Sequence, residues 1–299
     1  MSLNTQNFFL LTHHLSMQGD ARDLAREARY ELVEAYRASR MLKIHAIIPI
    51  LAMIITAIIQ AALIIPLYNP LAISQVNPTR RIEFIASSLA DFVAYTGIAT
   101  SIFLLLTWLF MGFAVIHISR LAKSKWEPLG LVIVVTTAIS SILLGYNAIV
   151  AKEAVYKTSL KVLSKPEIAS IIANMGVHLS EEELKAYTKA LAETLASVQS
   201  LNAGFVVTAI TLILSVTPPL LAILAFEPIA RKVESKWPRI LQILLVLMVL
   251  QTIIPKIPLP STAIAGIVLS LVNILEPIAA WLTANRVKRY VEERLLETQ

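Results

Sequence analysis

The amino-acid sequence predicts an all-α membrane protein, a polytopic bundle of about six transmembrane helices with a small helical hairpin outside the membrane. Composition is the first reason, because 57% of the 299 residues are hydrophobic and only 15% are charged. The mean hydropathy of +0.70 is too high for a water-soluble chain of this length. The second reason is the alternation of long apolar runs with short basic connectors along the chain.

Six stretches are long and apolar enough to cross a hydrocarbon core of about 30 Å, which takes roughly 20 residues in a helix. The fifth is short, so either the bilayer thins around it or Lys256 extends toward the headgroups. None shows the alternation that is typical of a membrane strand, which favours helices. In chain order the stretches are 44–66, 97–117, 129–150, 204–226, 240–255 and 262–283.

Residues 1–43 precede the first span and are expected to end in a charged amphipathic helix. The stretch 20–43 contains acids, bases and apolar residues at helical spacing, with no Gly or Pro. A solvated stalk and a docking face for a cytoplasmic partner both fit this pattern. The start of the chain lacks the pattern of a secretory signal, so the first span is expected to be an uncleaved anchor.

Two connectors share one sequence pattern. RLAKSKWEPLG at 120–130 and RKVESKWPRIL at 231–241 each follow one apolar run and precede another. Either short inner loops converge on Arg, Lys and Trp, or a parallel internal repeat aligns the second and third spans with the fourth and fifth. Under both interpretations these residues anchor the chain at the membrane interface, where indole rings and basic side chains are stable. The predicted anchors are Arg120, Lys125, Trp126, Arg231, Lys236, Trp237 and, at the end of the sixth span, Trp281.

The distribution of basic residues predicts the orientation. If the chain starts inside and crosses six times, the inner segments carry 17 of the 26 Lys and Arg residues. Cytoplasmic loops are enriched in these residues, so we expect a plasma-membrane protein with both connectors and both termini in the cytoplasm. The predicted parts are a cytoplasmic N-terminal region, three spans, an extracytoplasmic hairpin, three more spans and a cytoplasmic tail: 1–43, 44–151, 152–203, 204–285 and 286–299.

The longest outer segment, 152–203, is predicted to form a helical hairpin. Ser180 stands three residues before Glu183, which is the spacing of a capping box at a helix start. Gly176 is the expected terminator of the preceding helix. The apolar stripe that follows the cap is expected to pack against its neighbouring helix or the outer loop around 80–96, with partner binding as the alternative. The stripe consists of Leu184, Tyr187, Leu191, Leu195 and Val198.

Glu276 is the one acidic residue clearly inside a predicted span, and the spans contain no Lys or Arg. An ionisable group at that depth is typical of a proton or cation site, although a carboxyl capped by a neighbouring helix also fits. The pair Pro218-Pro219 removes two backbone donors from the fourth span, so that helix is expected to kink or open. Other polar residues in the spans either line a pathway or form hydrogen bonds between helices. They are Gln60, Asn147 and Asn273.

Several kinds of chemistry have no sequence signature here. The chain has no cysteine, and no two histidines show the four-residue spacing of a metal-binding helix. It also lacks a Gly-rich phosphate-binding loop and a nucleophile elbow. We therefore expect no catalytic site, no metal and no cofactor, and we expect that the protein is not an enzyme.

These patterns favour a non-enzymatic conduit or scaffold subunit of a multi-protein transport machine that a cytoplasmic partner energises. The layout resembles that of the polytopic inner-membrane subunits of type IV secretion and archaeal DNA-import systems, which implies translocation of DNA or protein. Expected partners are the bilayer, other membrane subunits and, as an option, further copies of the chain. Nucleic acid is expected only as cargo. The alternative is a self-contained secondary transporter or ion channel that uses Glu276 and the proline-containing helix.

Overall fold

A computed structural model describes the backbone of residues 4–175, 179–199, 205–233, 235–253 and 262–297, and the side chains of 26–175, 179–194, 210, 212–233, 235–253 and 271–293. Helices make up 92% of the structure and the described residues contain no strand, which confirms the predicted all-α class. The described residues form nine α-helices and two short 3₁₀ turns, Ile65–Tyr68 and Pro78–Arg80. The helices are α1 Asn4–Leu63, α2 Pro70–Ser74, α3 Arg81–Leu121, α4 Glu127–Leu163, α5 Pro166–Ala173, α6 Glu181–Gln199, α7 Phe205–Lys232, α8 Lys236–Ile253 and α9 Thr262–Glu297.

Five of these helices, α1, α3, α4, α7 and α8, are long and apolar enough to cross a membrane. The predicted sixth span falls in α9, where the side chains of 262–270 lie outside the described residues. The structure therefore supports five candidate spans, and the predicted count of six is not confirmed. α8 begins at Lys236, before the predicted start of the fifth span, and its 18 residues extend about 27 Å. This earlier start removes most of the expected mismatch with the bilayer, and Lys256 lies outside the described residues.

The outer surface of the bundle is apolar along these helices. Ile58, Leu131 and Ile142 are each more than half exposed, and only 11% of the most apolar window of α1 is buried inside the fold. Exposing such a surface to water costs about 25 cal/mol for each Å². Lipid chains remove that cost, so the burial pattern fits a multi-pass membrane protein.

Small residues bring α3 and α4 into close contact. A Cβ atom on Gly112 would lie 2.8 Å from the carbonyl oxygen of Gly130, and one on Gly97 would lie 2.4 Å from the Cβ atom of Ala148. Only glycine fits at these distances, and the close approach maximises van der Waals contact between the helices. α4 continues unbroken to Leu163, past the predicted boundary at residue 152.

The turn between α3 and α4, residues 122–126, lies at one end of the bundle, which we call the connector end. Lys123 adopts a left-handed backbone with a φ of 52°, and the amide of Ser124 donates to the Ser119 carbonyl at 2.8 Å. Together these features form a Schellman motif that ends α3. The ammonium of Lys123 pairs with Glu27 of α1, so the turn also fastens α1 to the bundle.

The segments predicted as two cytoplasmic tails pair with each other at the connector end. The hydroxyl of Tyr36 on α1 donates to Glu292 Oε1 on α9 at 2.7 Å, and the ammonium of Lys288 lies 4.6 Å from the centre of the Tyr36 ring. The hydrogen bond from Tyr36, assisted by the charge of Lys288, lowers the pKa of Glu292 below its ordinary value. α1 and α9 therefore run antiparallel beyond the predicted spans.

A second hydrophobic cluster lies at the opposite end, between α5, α6 and the ends of α3 and α4. Tyr187 and Leu191 of the predicted stripe are buried there with Ile85 of α3, which confirms packing against the outer segment. The Tyr187 hydroxyl donates to the carbonyl of Leu67 at 2.7 Å. Burial, with a smaller contribution from Tyr68, raises the pKa of Tyr187.

The start of α6 has the predicted capping box. The amide of Glu183 donates to Ser180 Oγ at 3.2 Å, and the amide of Ser180 donates to Glu183 Oε2 at 2.8 Å. The hydrogen bonds from Ser180 lower the pKa of Glu183. Leu184 of the stripe is exposed. Gly176 and the side chains of Leu195 and Val198 lie outside the described residues.

Arg81 joins the elements at this end, and none of the described carboxylates is its partner. Its buried guanidinium donates to the carbonyls of Ser74, Val76, Ile172 and Ala173 at 2.6–3.2 Å. The last two carbonyls close the C-terminus of α5, where the helix dipole favours a positive charge. One side chain therefore ties α2 and α5 to the start of α3.

Candidate functional site

Glu276 lies in the core of the bundle against His45. The two side chains are 2–3% exposed, and His45 Nε2 lies 2.7 Å from Glu276 Oε1. The other ring nitrogen, Nδ1, lies 2.9 Å from the carbonyl oxygen of Thr107. Helices α1, α3 and α9 therefore meet at this imidazole. We call the two side chains the His45–Glu276 pair.

The Thr107 carbonyl determines how many protons the pair holds. A carbonyl oxygen only accepts, so Nδ1 of His45 carries a hydrogen and donates it. The short contact between Nε2 and Oε1 then requires one further proton, on either the imidazole or the carboxyl group. In both forms the pair is neutral overall. Removing that proton leaves two lone pairs facing each other, so the hydrogen bond depends on one exchangeable proton.

The surroundings of the pair are apolar. Trp108 packs edge-on against the His45 ring with ring centres 6.1 Å apart, while Ala46 of α1 and Ala279 of α9 belong to the buried core. In such an environment a charge is strongly stabilised by a partner and heavily penalised without one. Loss of either member of the pair should therefore affect folding as well as proton binding.

A second carboxylate–imidazole pair lies nearer the connector end. Glu34 Oε2 and His117 Nδ1 are 2.6 Å apart, and Arg37 donates to the other oxygen of Glu34 at 3.4 Å. Glu34 is only 1% exposed. Glu34 and His45 are separated by about three helical turns and so share one face of α1. The two pairs together fix that face of α1 to α3 and α9.

The histidine partners could not be identified from sequence spacing. Glu276 lies 231 positions from His45, and Glu34 lies 83 positions from His117. A usable signal exists in the periodicity of α1, because Glu34, Ala38 and His45 fall on one helix face. A charged residue among small apolar residues on a buried face is costly unless a partner compensates it.

The Pro218-Pro219 pair is buried, and α7 continues through it as a helix rather than opening. Because proline has no N–H group, the carbonyls of Leu214 and Ser215 lack their helical donors. A pocket beside them has a volume of about 10 Å³, which is the space that one water molecule needs. Its lining residues are Leu104, Trp108, Thr137, Ser140, Leu214, Ser215 and Pro218.

The other predicted pathway residues do not converge on Glu276. Gln60 and Asn273 are exposed on the outer surfaces of α1 and α9, and Asn147 is half-buried on α4. The structure brings Glu276 together with His45 instead. These residues therefore do not form one polar path through the described part of the bundle.

The predicted interface anchors occur as lysine–tryptophan contacts. Three lysine ammonium groups lie 5.2–5.6 Å from the centres of indole rings, namely Lys43 over Trp281, Lys125 over Trp126 and Lys236 over Trp237. Each contact contributes about 0.5–1 kcal/mol at an exposed site. The two connector arginines differ, because Arg120 donates across the connector to Glu127 whereas Arg231 donates to Glu227 in its own helix.

Within the described residues, no group of three or more His, Asp or Glu side chains is placed to hold a metal ion. No protein-family model, curated protein or solved structure gives a significant match to this chain. The chemistry of the candidate site therefore rests on the His45–Glu276 pair, which can hold and release one proton.

Proposed function

We propose that this protein is a non-enzymatic membrane subunit, a scaffold or conduit, of a multi-protein transport machine energised by a cytoplasmic partner. The observation that carries the proposal is the exposure of Asn273. This residue lies near the centre of the predicted sixth span, on the outer surface of α9, and forms no hydrogen bond to another described residue. An amide exposed to hydrocarbon without a hydrogen bond costs about 2–7 kcal/mol. A neighbouring membrane subunit would remove that cost.

Gln60 supports the same proposal. Its side chain is exposed on the sparsely packed part of α1 within the predicted first span. Amide hydrogen bonds between membrane helices contribute about 0.6–2 kcal/mol each. Another subunit or a second copy of the chain would satisfy both amides, and nucleic acid enters this proposal only as cargo.

We further propose six spans in the plasma membrane, with both termini and the connector end in the cytoplasm. The excess of Lys and Arg in the segments at the connector end supports this orientation. The three lysine–tryptophan contacts also lie at that end, and such side chains are stable where headgroups meet acyl chains.

We also propose that α3–α4 and α7–α8 are two copies of a parallel repeat. The helix before each connector ends on an equivalent bond, from the Ala122 amide to the Ile118 carbonyl and from the Val233 amide to the Ile229 carbonyl, both at 2.8 Å. The lysine-over-indole contact also recurs in both connectors. A preference of short inner loops for Trp and Lys explains those two residue types. It does not require that the helix before each connector ends at the equivalent position of the shared pattern.

The subunit proposal is tested by purifying the tagged full chain from its native membranes in mild detergent. We expect stoichiometric recovery of other membrane subunits or an ATPase, and a loss of that recovery in Asn273→Leu. Leu275→Ala is the matched control, because Leu275 is an exposed apolar residue on the same helix. Recovery of the chain alone, or only as a homo-oligomer, would contradict the proposal, and so would recovery of other subunits that Asn273→Leu does not reduce.

The His45–Glu276 pair favours a second candidate function, that of a self-contained proton-coupled transporter. Ionisable groups in membrane spans are typical of proton pathways. If this candidate is correct, Glu276→Gln abolishes proton-coupled flux in reconstituted vesicles and flattens its pH dependence while the protein still folds. In a scaffold subunit the same variant assembles and functions normally, because the glutamine amide can still bond to His45.

A further inference from the structure

At the connector end, α1 carries its acids and its arginines on different sides of the helix. Glu27, Glu31 and Glu34 lie on the side of α1 that faces the bundle, where they pair with Lys123 and His117. The arginines of the same stretch project from the other side and are exposed. The three acids are therefore paired within the fold, whereas Arg26, Arg29 and Arg40 form no ion pair within the described residues.

The exposed side carries arginine together with aromatic and apolar residues. We call it the arginine face, and it consists of Arg26, Arg29, Tyr30, Val33, Arg37 and Arg40. Tyr30 is 49% exposed and Val33 is 40% exposed. Among the four arginines only Arg37 has an ion pair within the described residues, at 3.4 Å from Glu34.

The spacing of the arginine face is that of a helix-packing seam. Positions 26, 30, 33, 37 and 40 are separated by alternating steps of four and three residues, which align along one line of the helix. The seam is about 21 Å long. Tyr30 and Val33 occupy its middle and arginines its ends, which is the arrangement of an apolar contact flanked by charged pairs.

The far end of the seam lies beyond the reach of lipid headgroups. Lys43 stacks over Trp281 at the predicted inner boundary of the membrane. Arg26 lies 17 residues earlier on the same helix, or about 26 Å away, and Arg29 about 21 Å away. The headgroup region on each side is only about 5–8 Å deep, and salt screens charges beyond about 8 Å. Lipid therefore cannot account for Arg26, Arg29 and the exposed apolar residues beside them.

We propose that the arginine face is the docking surface for an acidic amphipathic helix of a cytoplasmic protein. The inference rests on the proposed function and orientation, and it adds the chemistry of the partner. Tyrosine and arginine are the side chains most often found at the energetic centres of protein interfaces. Nucleic acid fits less well, because Val33 offers no charge and no stacking surface in the middle of the seam.

The test uses the full chain in its native membranes with a photoreactive benzophenone amino acid in place of Tyr30. After irradiation, mass spectrometry identifies the attached molecule and the peptide that carries the cross-link. The double variant Arg26→Glu with Arg29→Glu is compared with Arg289→Glu, which reverses an exposed charge on α9 at the same end of the bundle. These three arginines are exposed and form no ion pair within the described residues, so we expect the variants to fold, and helix content of the purified variants checks this.

We expect a cross-link to an acidic helical segment of another protein, and a yield that falls about tenfold or more in the double variant but not in Arg289→Glu. The proposal is overturned by a cross-link to lipid, to nucleic acid or to a second copy of the chain. A missing cross-link, or a protein cross-link that the charge reversals do not weaken, overturns it equally. Co-recovery of membrane subunits is measured on the same samples. If the subunits are recovered but the cross-link fails, only the docking surface is wrong.

Discussion

The His45–Glu276 pair makes a quantitative prediction about the stability of the bundle. Replacing His45 by Leu removes the partner of a buried carboxyl and also the donor to the Thr107 carbonyl. Breaking a buried pair from one side costs about 3–5 kcal/mol. Glu276→Met removes only the partner of Nε2, because Nδ1 keeps its bond to Thr107, so we expect a smaller cost of about 1–3 kcal/mol.

The double variant His45→Leu with Glu276→Met should be much less destabilised than the sum of the single variants. Once both polar groups are replaced by apolar side chains of similar size, no unpaired group of the pair remains, and such replacements are often neutral. The Thr107 carbonyl keeps the helical bond from the amide four residues further along α3 and loses only its second donor. We therefore expect a coupling free energy of at least about 2 kcal/mol, which lies within the range for residues in direct contact.

The assay is reversible unfolding of the purified chain in detergent micelles, followed by helix content, for the wild type, both single variants and the double variant. Glu276→Gln serves as the conservative control and should change the free energy of unfolding by no more than about 1 kcal/mol, because its amide still bonds to His45. A parallel cycle at Glu34 and His117 should give weaker coupling, since the His117 side chain is 14% exposed. If the two substitutions at His45 and Glu276 are additive within about 0.5 kcal/mol, the pair is not coupled and the reasoning fails.

Three further predictions concern other parts of the molecule. Burial raises the pKa of Tyr187, so the contribution of its neutral side chain to stability is complete below the ordinary tyrosine pKa of about 10 and is lost as the pH rises through the raised pKa. Tyr187→Phe should lower the free energy of unfolding at neutral pH by about 1–3 kcal/mol. The same variant should also lose less stability at alkaline pH than the wild type, as measured by melting at pH 7 to 12. Gly112→Ala should cost about 1–3 kcal/mol by forcing α3 away from Gly130, and an unchanged melting temperature would contradict the close packing. A cysteine placed at Ser124 and a cysteine placed at Lys189 should react with a membrane-impermeant reagent from opposite sides of the membrane. Labelling of both cysteines from the same side would refute the topology.

Local patterns in the sequence were sufficient for the start of α6 and for its buried stripe, but not for the ends of α4 and α8. The capping box at Ser180 and Glu183 depends on residues three positions apart, and the structure has both of its hydrogen bonds. The burial of Tyr187 and Leu191 follows from helical spacing, because an apolar stripe on a helix outside the membrane needs a covering surface. In each case the residues that decide the structure are near one another in the chain.

The candidate site could be predicted only in part, because its members come from distant helices. The sequence identified Glu276 as unusual because of its depth in a predicted span. His45 lies at the start of another predicted span, and no local pattern indicates that it is the partner of Glu276. Arg81 shows the same limit, since its partners are backbone carbonyls on α2 and α5. Every residue has a backbone carbonyl, so the sequence does not indicate which ones accept from Arg81. Gln60 and Asn273 are polar residues in spans like Glu276, yet only packing reveals that they face outward.

Helix α1 links the proposed docking surface to the proton-holding pair. Pro49 follows His45 by one turn and deprives the His45 carbonyl of its helical donor, so α1 can bend there. On the connector side of Pro49 the helix is fixed by Glu34 and His45, whereas beyond it most of α1 is exposed. Among the described residues, the His45–Glu276 bond is the one polar contact between α1 and α9 inside the predicted spans. Below that depth α1 and α9 also share the buried apolar cluster, so the His45–Glu276 bond adds one specific polar contact to a packed interface and sets the register of α1 against α9.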